Sequence, residues 1–128
     1  MQKIFLIEDN PEIVRMYERT FRLSGFEIEI ATDGKEALEK IARMDEKPSA
    51  VLLDLIIPSL SGIDVLRTIK ADPALKHIPV LILTNSLAPA DEGLLLSLGA
   101  CRYLIKMDVD SKTVVEETRA CIAAAAVT

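Results

Sequence analysis

Polar side chains follow four short apolar runs of the chain, and their types suit a site for a cation and a phosphoryl group. The runs occupy residues 3–7, 50–53, 80–83 and 102–105. The polar residues directly after them are Glu8 and Asp9, Asp54, Thr84, and Lys106. Hard divalent cations prefer carboxylate oxygens, and an ammonium and a hydroxyl group can pair with phosphoryl oxygens. The spacing predicts such a site if the runs end side by side.

The four runs are predicted to be strands of a parallel sheet. Apolar runs of this length without alternation are typical of strands that helices cover on both faces. In such sheets, ligands bind outside the carboxyl ends of the strands. We therefore expect the polar residues to meet at one edge of the sheet.

The segments between the runs carry helix signals. Asn10 precedes Pro11 as an N-cap precedes a first-turn proline, and Gly25 marks the end of that helix. Residues 27–31 alternate between charged and apolar, which predicts an edge strand with one solvated face. By similar signals, the remaining helices are predicted to begin near Asp33, Ser61, Ala90 and Ser111.

Five βα units predict an α/β fold. We expect a flavodoxin-like doubly wound sheet of five parallel strands in the order 2-1-3-4-5, with helices on both faces, because right-handed crossovers leave few other topologies. This order puts strands one and three side by side, which brings Glu8, Asp9 and Asp54 together. The length of 128 residues fits one domain, predicted over residues 1–128.

Composition excludes several classes of protein. The formal charge of −5 argues against direct nucleic-acid binding, which depends on clustered Lys and Arg. No apolar stretch approaches the ~18 residues of a membrane span, and no signal-peptide pattern precedes the first strand. We therefore expect a cytoplasmic location. Cys101 and Cys121 lack CxxC or metal-ligand spacing and are interpreted as buried small side chains without a redox role.

The strand-end residues, in this order, resemble those of response-regulator receiver domains in two-component phosphorelay signalling. The matching positions are Glu8-Asp9, Asp54 with Gly62 beyond it, Thr84 and Lys106. The resemblance implies that Asp54 accepts a phosphoryl group from a histidine kinase or phosphotransfer protein, and that a downstream protein partner reads the change. It implies a signalling domain that catalyses only its own phosphorylation and dephosphorylation, and so is not otherwise an enzyme.

Physical roles can be assigned to the same residues. Three carboxylates held together repel one another unless a cation lies among them, and Mg²⁺ is the expected ion. Asp9 and Asp54 are the expected direct ligands, and Glu8 is expected to bind directly or through water. The resemblance adds the backbone carbonyl of Ile56. Asp54 is also the expected nucleophile, and Lys106 is expected to pair with a phosphoryl oxygen.

Thr84 and Tyr103 are the expected switch residues. The Thr84 hydroxyl would donate to a phosphoryl oxygen and draw the loop after strand four inward. Tyr103, where the family usually has a switch aromatic, would rotate into the space that opens. The face made by the helix at 90–98, strand five and the last helix would then change shape.

Two departures from the family pattern affect loops beside the site. Met107 follows Lys106 where the family usually has a proline in a cis peptide, so we expect a trans bond or an identifiable compensation. Asn85, after Thr84, is bulkier and more polar than the small residue usual there.

The sequence argues against two other functions and leaves a third open. A haloacid-dehalogenase-type phosphatase needs a second aspartate two positions after the nucleophile, where Ile56 stands. A flavodoxin-like redox module needs a phosphate loop rich in Ser, Thr and Gly, whereas residues 8–11 are acidic and would repel a phosphate. A receiver-like interaction module differs only in whether Asp54 is ever phosphorylated. We expect a single-domain receiver, the alternative being a domain excised from a longer protein.

Overall fold

The computed structural model describes residues 1–85 and 89–127, with the backbone alone at 89–91. The elements in chain order are β1 (Lys3–Ile7), α1 (Pro11–Leu23), β2 (Glu27–Ala31), α2 (Gly34–Arg43), β3 (Ala50–Leu53), α3 (Gly62–Ala71), β4 (Val80–Thr84), α4 (Pro89–Ser97), β5 (Arg102–Ile105) and α5 (Ser111–Val127). All strand pairs are parallel, and the sheet order is β2-β1-β3-β4-β5. The predicted fold and strand order are confirmed.

Alternate side chains of the central strands enter two separate cores. Phe5 and Val51 pack with residues of α2, α3 and α4 on one face of the sheet. Ile4 and Leu52 pack with residues of α1 and α5 on the other. Strands β3 and β4 are buried along their whole length, and β1 is buried beyond its first residue. Burial on both faces explains why these runs do not alternate.

Strand β5 was wrongly grouped with the strands buried on both faces. It is an edge strand in which Arg102 is exposed and the next three residues are half-buried. Its run is apolar because Tyr103 packs against one core and Leu104 against the other. Burial is incomplete because the sheet ends there.

Helix caps confirm the predicted starts of α1 and α2. The Asn10 side chain accepts the N–H groups of Glu12 and Ile13 at 2.9 and 3.3 Å. The Asp33 carboxylate accepts the N–H of Glu36 at 2.8 Å, and the Glu36 carboxylate in turn accepts an N–H one residue before the cap, from Thr32 at 2.7 Å.

A cap begins helix α5, and glycines end helices α1 and α4, near the predicted positions. Asp110 accepts the N–H of Thr113 at 2.8 Å and so caps α5. Gly25 and Gly99 follow helices α1 and α4 with φ of +92° and +106°, a region that favours glycine. Helix α4 begins and ends one residue earlier than predicted.

The structure corrects the interpretation of the two cysteines as no more than buried small side chains. Cys101, just before β5, and Cys121 of α5 form a disulfide with their Cα atoms 6.2 Å apart. The two residues are 20 positions apart, so spacing gave no sign of the pair. The fold brings them together because α5 packs beside the start of the edge strand. The predicted burial holds in part, since Cys121 is buried and Cys101 is half-buried.

Candidate functional site

The carboxyl ends of β1 and β3 place three carboxylates together. Ile7 pairs with Leu53 in the sheet, so the residues that follow these strands emerge at the same edge. One carboxylate oxygen from each of Glu8, Asp9 and Asp54 lies within 4.8 Å of the other two. Glu8 and Asp54 are buried and Asp9 is exposed. The sequence predicted this juxtaposition.

A cavity of about 280 Å³ opens beside these carboxylates. Its lining includes the three carboxylate residues together with Ile56, Thr84 and Lys106. The cavity is therefore bounded by six of the seven predicted site residues.

Backbone contacts hold Asp54 in place. Its N–H donates to the Ile7 carbonyl at 3.1 Å, and its Oδ1 accepts the N–H of Ile56 at 3.1 Å. Gly62 lies against the same segment, and a Cβ at that position would collide with the Asp54 carbonyl oxygen. Glycine is therefore required where α3 begins, and the loop returns directly beneath the site.

Lys106 binds two of the carboxylates directly. Its ammonium donates to Glu8 and to Oδ2 of Asp54, the latter at 2.8 Å. The Lys106 and Asp54 side chains are each 9% exposed and that of Glu8 is 2% exposed, so solvent screens this network weakly. Glu8 also accepts the backbone N–H of Asn10 at 3.1 Å.

Glu8 and Lys106 form one ion pair, yet the pKa of each is raised for a different reason. Burial raises the pKa of Glu8 above 4.5, although the bonds from Lys106 and Asn10 lower it. Burial lowers the pKa of Lys106, but hydrogen bonds to Asp54 and Glu8 outweigh it and the pKa rises above 10.5. Both directions hold because Lys106 gains two carboxylates, whereas Glu8 shares one ammonium with Asp54.

These two pKa shifts determine how the stability of the fold depends on pH. Because the pKa of Glu8 is raised on folding, its ionisation opposes folding, and stability falls as pH rises from about 4.5 through the folded-state pKa. The raised pKa of Lys106 stabilises the fold below pH 10.5, and this stabilisation is lost as pH rises through the folded-state pKa.

The donor set fits a hard divalent cation. Three carboxylates and one ammonium carry a formal charge of −2, since the one positive charge offsets one of the three negative charges. The carboxylate ligands are oxygens, which Mg²⁺ and Mn²⁺ prefer over nitrogen or sulfur. The exposed Asp9 leaves the cluster accessible from the cavity. These residues can therefore hold such an ion.

The expected switch residues lie on adjacent strands. Thr84, the last residue of β4, is fully buried and lines the cavity. Thr84 pairs with Ile105, and Tyr103 lies two residues earlier on β5 beside Ile82. Tyr103 is half-buried against the core that contains Leu95 of α4. The arrangement joins the cavity to the α4 side of the sheet. The loop expected to move, at residues 86–88, lies outside the described residues.

The two departures from the family pattern have defined positions. No cis peptide occurs within residues 1–85 or 89–127, so the bond between Lys106 and Met107 is trans, as one of the two expectations required. Residues Lys106–Asp108 form a short 3-10 turn in which Met107 is 71% exposed. Asn85 is exposed and lines the cavity.

Sequence reasoning missed two neighbours of the site. Asn10 was predicted only as a helix cap, yet its backbone N–H also supports Glu8. Tyr17 of α1 was not predicted to lie near the site. It is buried, and burial, followed by the charges of Glu8 and Asp110, raises its pKa to about 12. The sequence signal that could have identified Tyr17 was its phenol oxygen, because a tyrosine on the buried face of a helix brings a polar atom into the core.

Across the described residues, no helix combines the length and hydrophobicity that crossing a bilayer requires.

In comparisons with known proteins, residues 4–119 of the chain match the family model of the response regulator receiver domain. The DNA-binding response regulator MtrA of Mycolicibacterium smegmatis is 34% identical over 105 residues, which cover 82% of this chain and 44% of that protein. The chain spans about half the length of such curated relatives, and the matched regions cover 44% and 42% of them.

Solved structures agree with this match. The Mn²⁺-bound form of response regulator Rcp1 has a TM-score of 0.80 and 29% identity, covering 94% of this chain and 91% of that one. The phosphorylated cyanobacterial phytochrome response regulator RcpA has a TM-score of 0.81 and 30% identity, covering 93% of this chain and 89% of that one. The chain thus belongs to the response regulator receiver domain family of two-component phosphorelay signalling.

Proposed function

We propose that the chain serves phosphorelay signalling by accepting a phosphoryl group on Asp54. The observation that carries this proposal is the position of the Asp54 carboxylate. It lines an open cavity, with the Lys106 ammonium 2.8 Å away and two further carboxylates within 4.8 Å. A carboxylate that is held by backbone bonds and faces an open cavity is placed to act as a nucleophile.

Mg²⁺ is the proposed cofactor. Glu8, Asp9 and Asp54 would hold it, with the carbonyl of Ile56 as a further ligand. The net charge of the cluster and its oxygen donors support this set, and the Mn²⁺-bound form of the relative Rcp1 is in line with it. When bound, Mg²⁺ would reduce the repulsion between the carboxylate and the phosphoryl donor.

The transfer forms one bond and breaks another. An oxygen of Asp54 attacks phosphorus, and the bond from phosphorus to the donor breaks, with its electron pair leaving on the donor. Lys106 already lies beside Asp54 and can move its ammonium to a phosphoryl oxygen. The Thr84 hydroxyl, at the cavity wall, can donate to another. The donor is a histidine kinase or a phosphotransfer protein.

The remaining assignments follow from this role. Residues 1–128 would be one receiver domain that works in the cytoplasm and signals to a downstream protein partner. Its own phosphorylation and dephosphorylation would be the only reactions that it catalyses. The charge of −5 supports action without direct nucleic-acid contact. The DNA-binding relative MtrA is more than twice as long as the matched region, so its DNA binding is not transferred to this chain.

Incubation with acetyl phosphate tests the proposal. We expect intact mass spectrometry to show addition of one phosphoryl group with Mg²⁺ and none with EDTA. Asp9→Asn is expected to weaken Mg²⁺ binding by about tenfold or more, because one of three carboxylates becomes neutral. Asp45→Asn, at an exposed position outside the cluster, is the matched control. A wild-type chain that binds Mg²⁺ but gains no mass would instead be an interaction module that is never phosphorylated.

Thr84→Ala tests the proposed switch. We expect this variant to accept a phosphoryl group on Asp54 but to lose most of the NMR shift changes that beryllofluoride causes at Tyr103 and residues 94–97, because the hydroxyl that would follow the phosphoryl oxygens is missing. Thr68→Ala is the control, since the Thr68 hydroxyl binds a carbonyl of its own helix at 2.8 Å. Wild-type shift changes in Thr84→Ala would exclude Thr84 as the coupling residue.

A further inference from the structure

We propose that Cys101 and Cys121 form a reversible redox site that links the edge strand β5 to helix α5. The inference goes beyond phosphoryl transfer and does not depend on Asp54. The two residues are disulfide-bonded, and their Cα separation of 6.2 Å lies in the usual range for such a bond. Because the bond needs no backbone movement to form, a change of thiol state can occur within the folded chain.

The two cysteine residues differ in their exposure to solvent. Cys101 is half-buried at the bend before β5, where its N–H donates to the Val80 carbonyl at 2.7 Å. Cys121 is 1% exposed and belongs to the core between the sheet and helices α1 and α5. A small thiol or disulfide from solution therefore reaches Cys101 first.

A low-molecular-weight thiol such as glutathione is the reductant of the disulfide. A thiolate attacks the Cys101 sulfur, the bond to Cys121 breaks, and the Cys121 sulfur leaves with the electron pair and takes up a proton. A second glutathione thiolate then attacks the glutathione sulfur of this mixed disulfide, and the Cys101 sulfur leaves with the electron pair and takes up a proton. The two steps yield two protein thiols and one molecule of glutathione disulfide. The reverse sequence, with glutathione disulfide as the oxidant, restores the bond.

The reducing conditions of the cytoplasm favour a reversible disulfide over a permanent one. In the cytoplasm, where we place the chain, reductants keep most thiols reduced, and disulfides in mesophilic proteins are usually transient or redox-sensing. A pair that is accessible through Cys101 fits that use.

Once the disulfide is reduced, the side-chain link between β5 and α5 that remains is an ion pair, which is weaker than the covalent bond. Arg102 of β5 binds Glu117 of α5 at 2.9 Å, one helical turn before Cys121, but these side chains are 48% and 34% exposed. Exposed ion pairs contribute little to stability. The position of β5 also matters to the site, because Lys106 follows the strand directly. In the disulfide state, the strand that precedes Lys106 therefore has one more link to α5 in addition to its pairing with β4.

Thiol counting and melting under defined glutathione buffers test this proposal. With excess glutathione disulfide we expect no free thiol in the denatured chain, and with excess reduced glutathione we expect two, reversibly. Reduction should lower the melting temperature by about 10 °C, because a cross-link that closes a loop of this length restricts the unfolded chain. Amide exchange should become faster in β5 and α5.

A double variant supplies the control. Cys101→Ser with Cys121→Ala should melt at the same temperature in both buffers, and Asp54→Asn should respond to them as the wild type does. Two thiols that persist in excess glutathione disulfide, a bond that resists excess reduced glutathione, or a melting temperature independent of the buffer would each overturn the proposal. The Asp54→Asn result keeps this outcome separate from any failure of phosphoryl transfer.

Discussion

Asp54→Asn is expected to reduce phosphoryl incorporation from acetyl phosphate to background while leaving the fold intact. The amide has nearly the same shape as the carboxylate, and its oxygen can still accept the N–H of Ile56, which now donates to Oδ1 at 3.1 Å. It cannot attack phosphorus as a carboxylate does. Lys106 loses one of its two partners but keeps Glu8, so the charge of the ammonium remains paired.

Intact mass after incubation with acetyl phosphate and Mg²⁺ measures this effect, and circular dichroism checks the fold. Asp45→Asn makes the same chemical change on the exposed surface and should be labelled like the wild type. If Asp54→Asn were labelled to the wild-type level, another residue would be the acceptor. If it failed to fold, the mass experiment would be repeated with Asp54→Glu, which keeps the charge but displaces the nucleophile and should also lose most labelling.

The sequence predicted the acidic cluster because two general rules were sufficient. Apolar runs without alternation indicated buried parallel strands, and the right-handed crossover rule left few topologies, among which the order that places β1 beside β3 was expected. Once these strands are neighbours, Glu8 and Asp54 must emerge at the same edge. The helix caps at Asn10 and Asp33 followed from local chemistry in the same way, since each depends on residues within three positions.

Contacts that depend on tertiary placement could not be predicted in this way. Lys106 was expected to pair with a phosphoryl oxygen, and its direct ion pairs with Glu8 and Asp54 were not predicted. A cation between two buried carboxylates offsets the cost of removing their charges from water. Cys101 and Cys121 meet across 20 positions of sequence, and only the packing of α5 beside the edge strand brings them together. Neither contact has a signature in residue spacing.

Lys106→Met is expected to destabilise the metal-free protein by about 3 kcal/mol, on the order of 10 °C in melting temperature. Methionine keeps much of the apolar stem but removes the ammonium. Glu8 and Asp54 would then be two buried carboxylates without their cation, at 2% and 9% side-chain exposure. Removal of one partner from a buried ion pair usually costs several kcal/mol, since the other charge stays out of water.

Two conditions should reduce this loss. Saturating Mg²⁺ supplies positive charge to the same carboxylates, so the variant should regain most of its stability and bind the ion more tightly than the wild type. Lower pH should also help. The pKa of Glu8 is already raised by burial, and the loss of Lys106 removes a group that lowers it. Glu8 can therefore be protonated in the folded variant, and the destabilisation should be larger at pH 8 than at pH 5.

Urea unfolding in EDTA at pH 5 and pH 8, with and without Mg²⁺, measures these effects. Lys76→Met is the matched control, because Lys76 is exposed and the same substitution there removes a charge that binds no buried carboxylate. An unchanged free energy of unfolding at pH 8 in EDTA would show that water in the cavity already compensates Glu8 and Asp54. A loss that Mg²⁺ does not reduce would mean that Lys106 acts through packing of its stem, because a cation at the carboxylates can replace charge but cannot replace apolar contact.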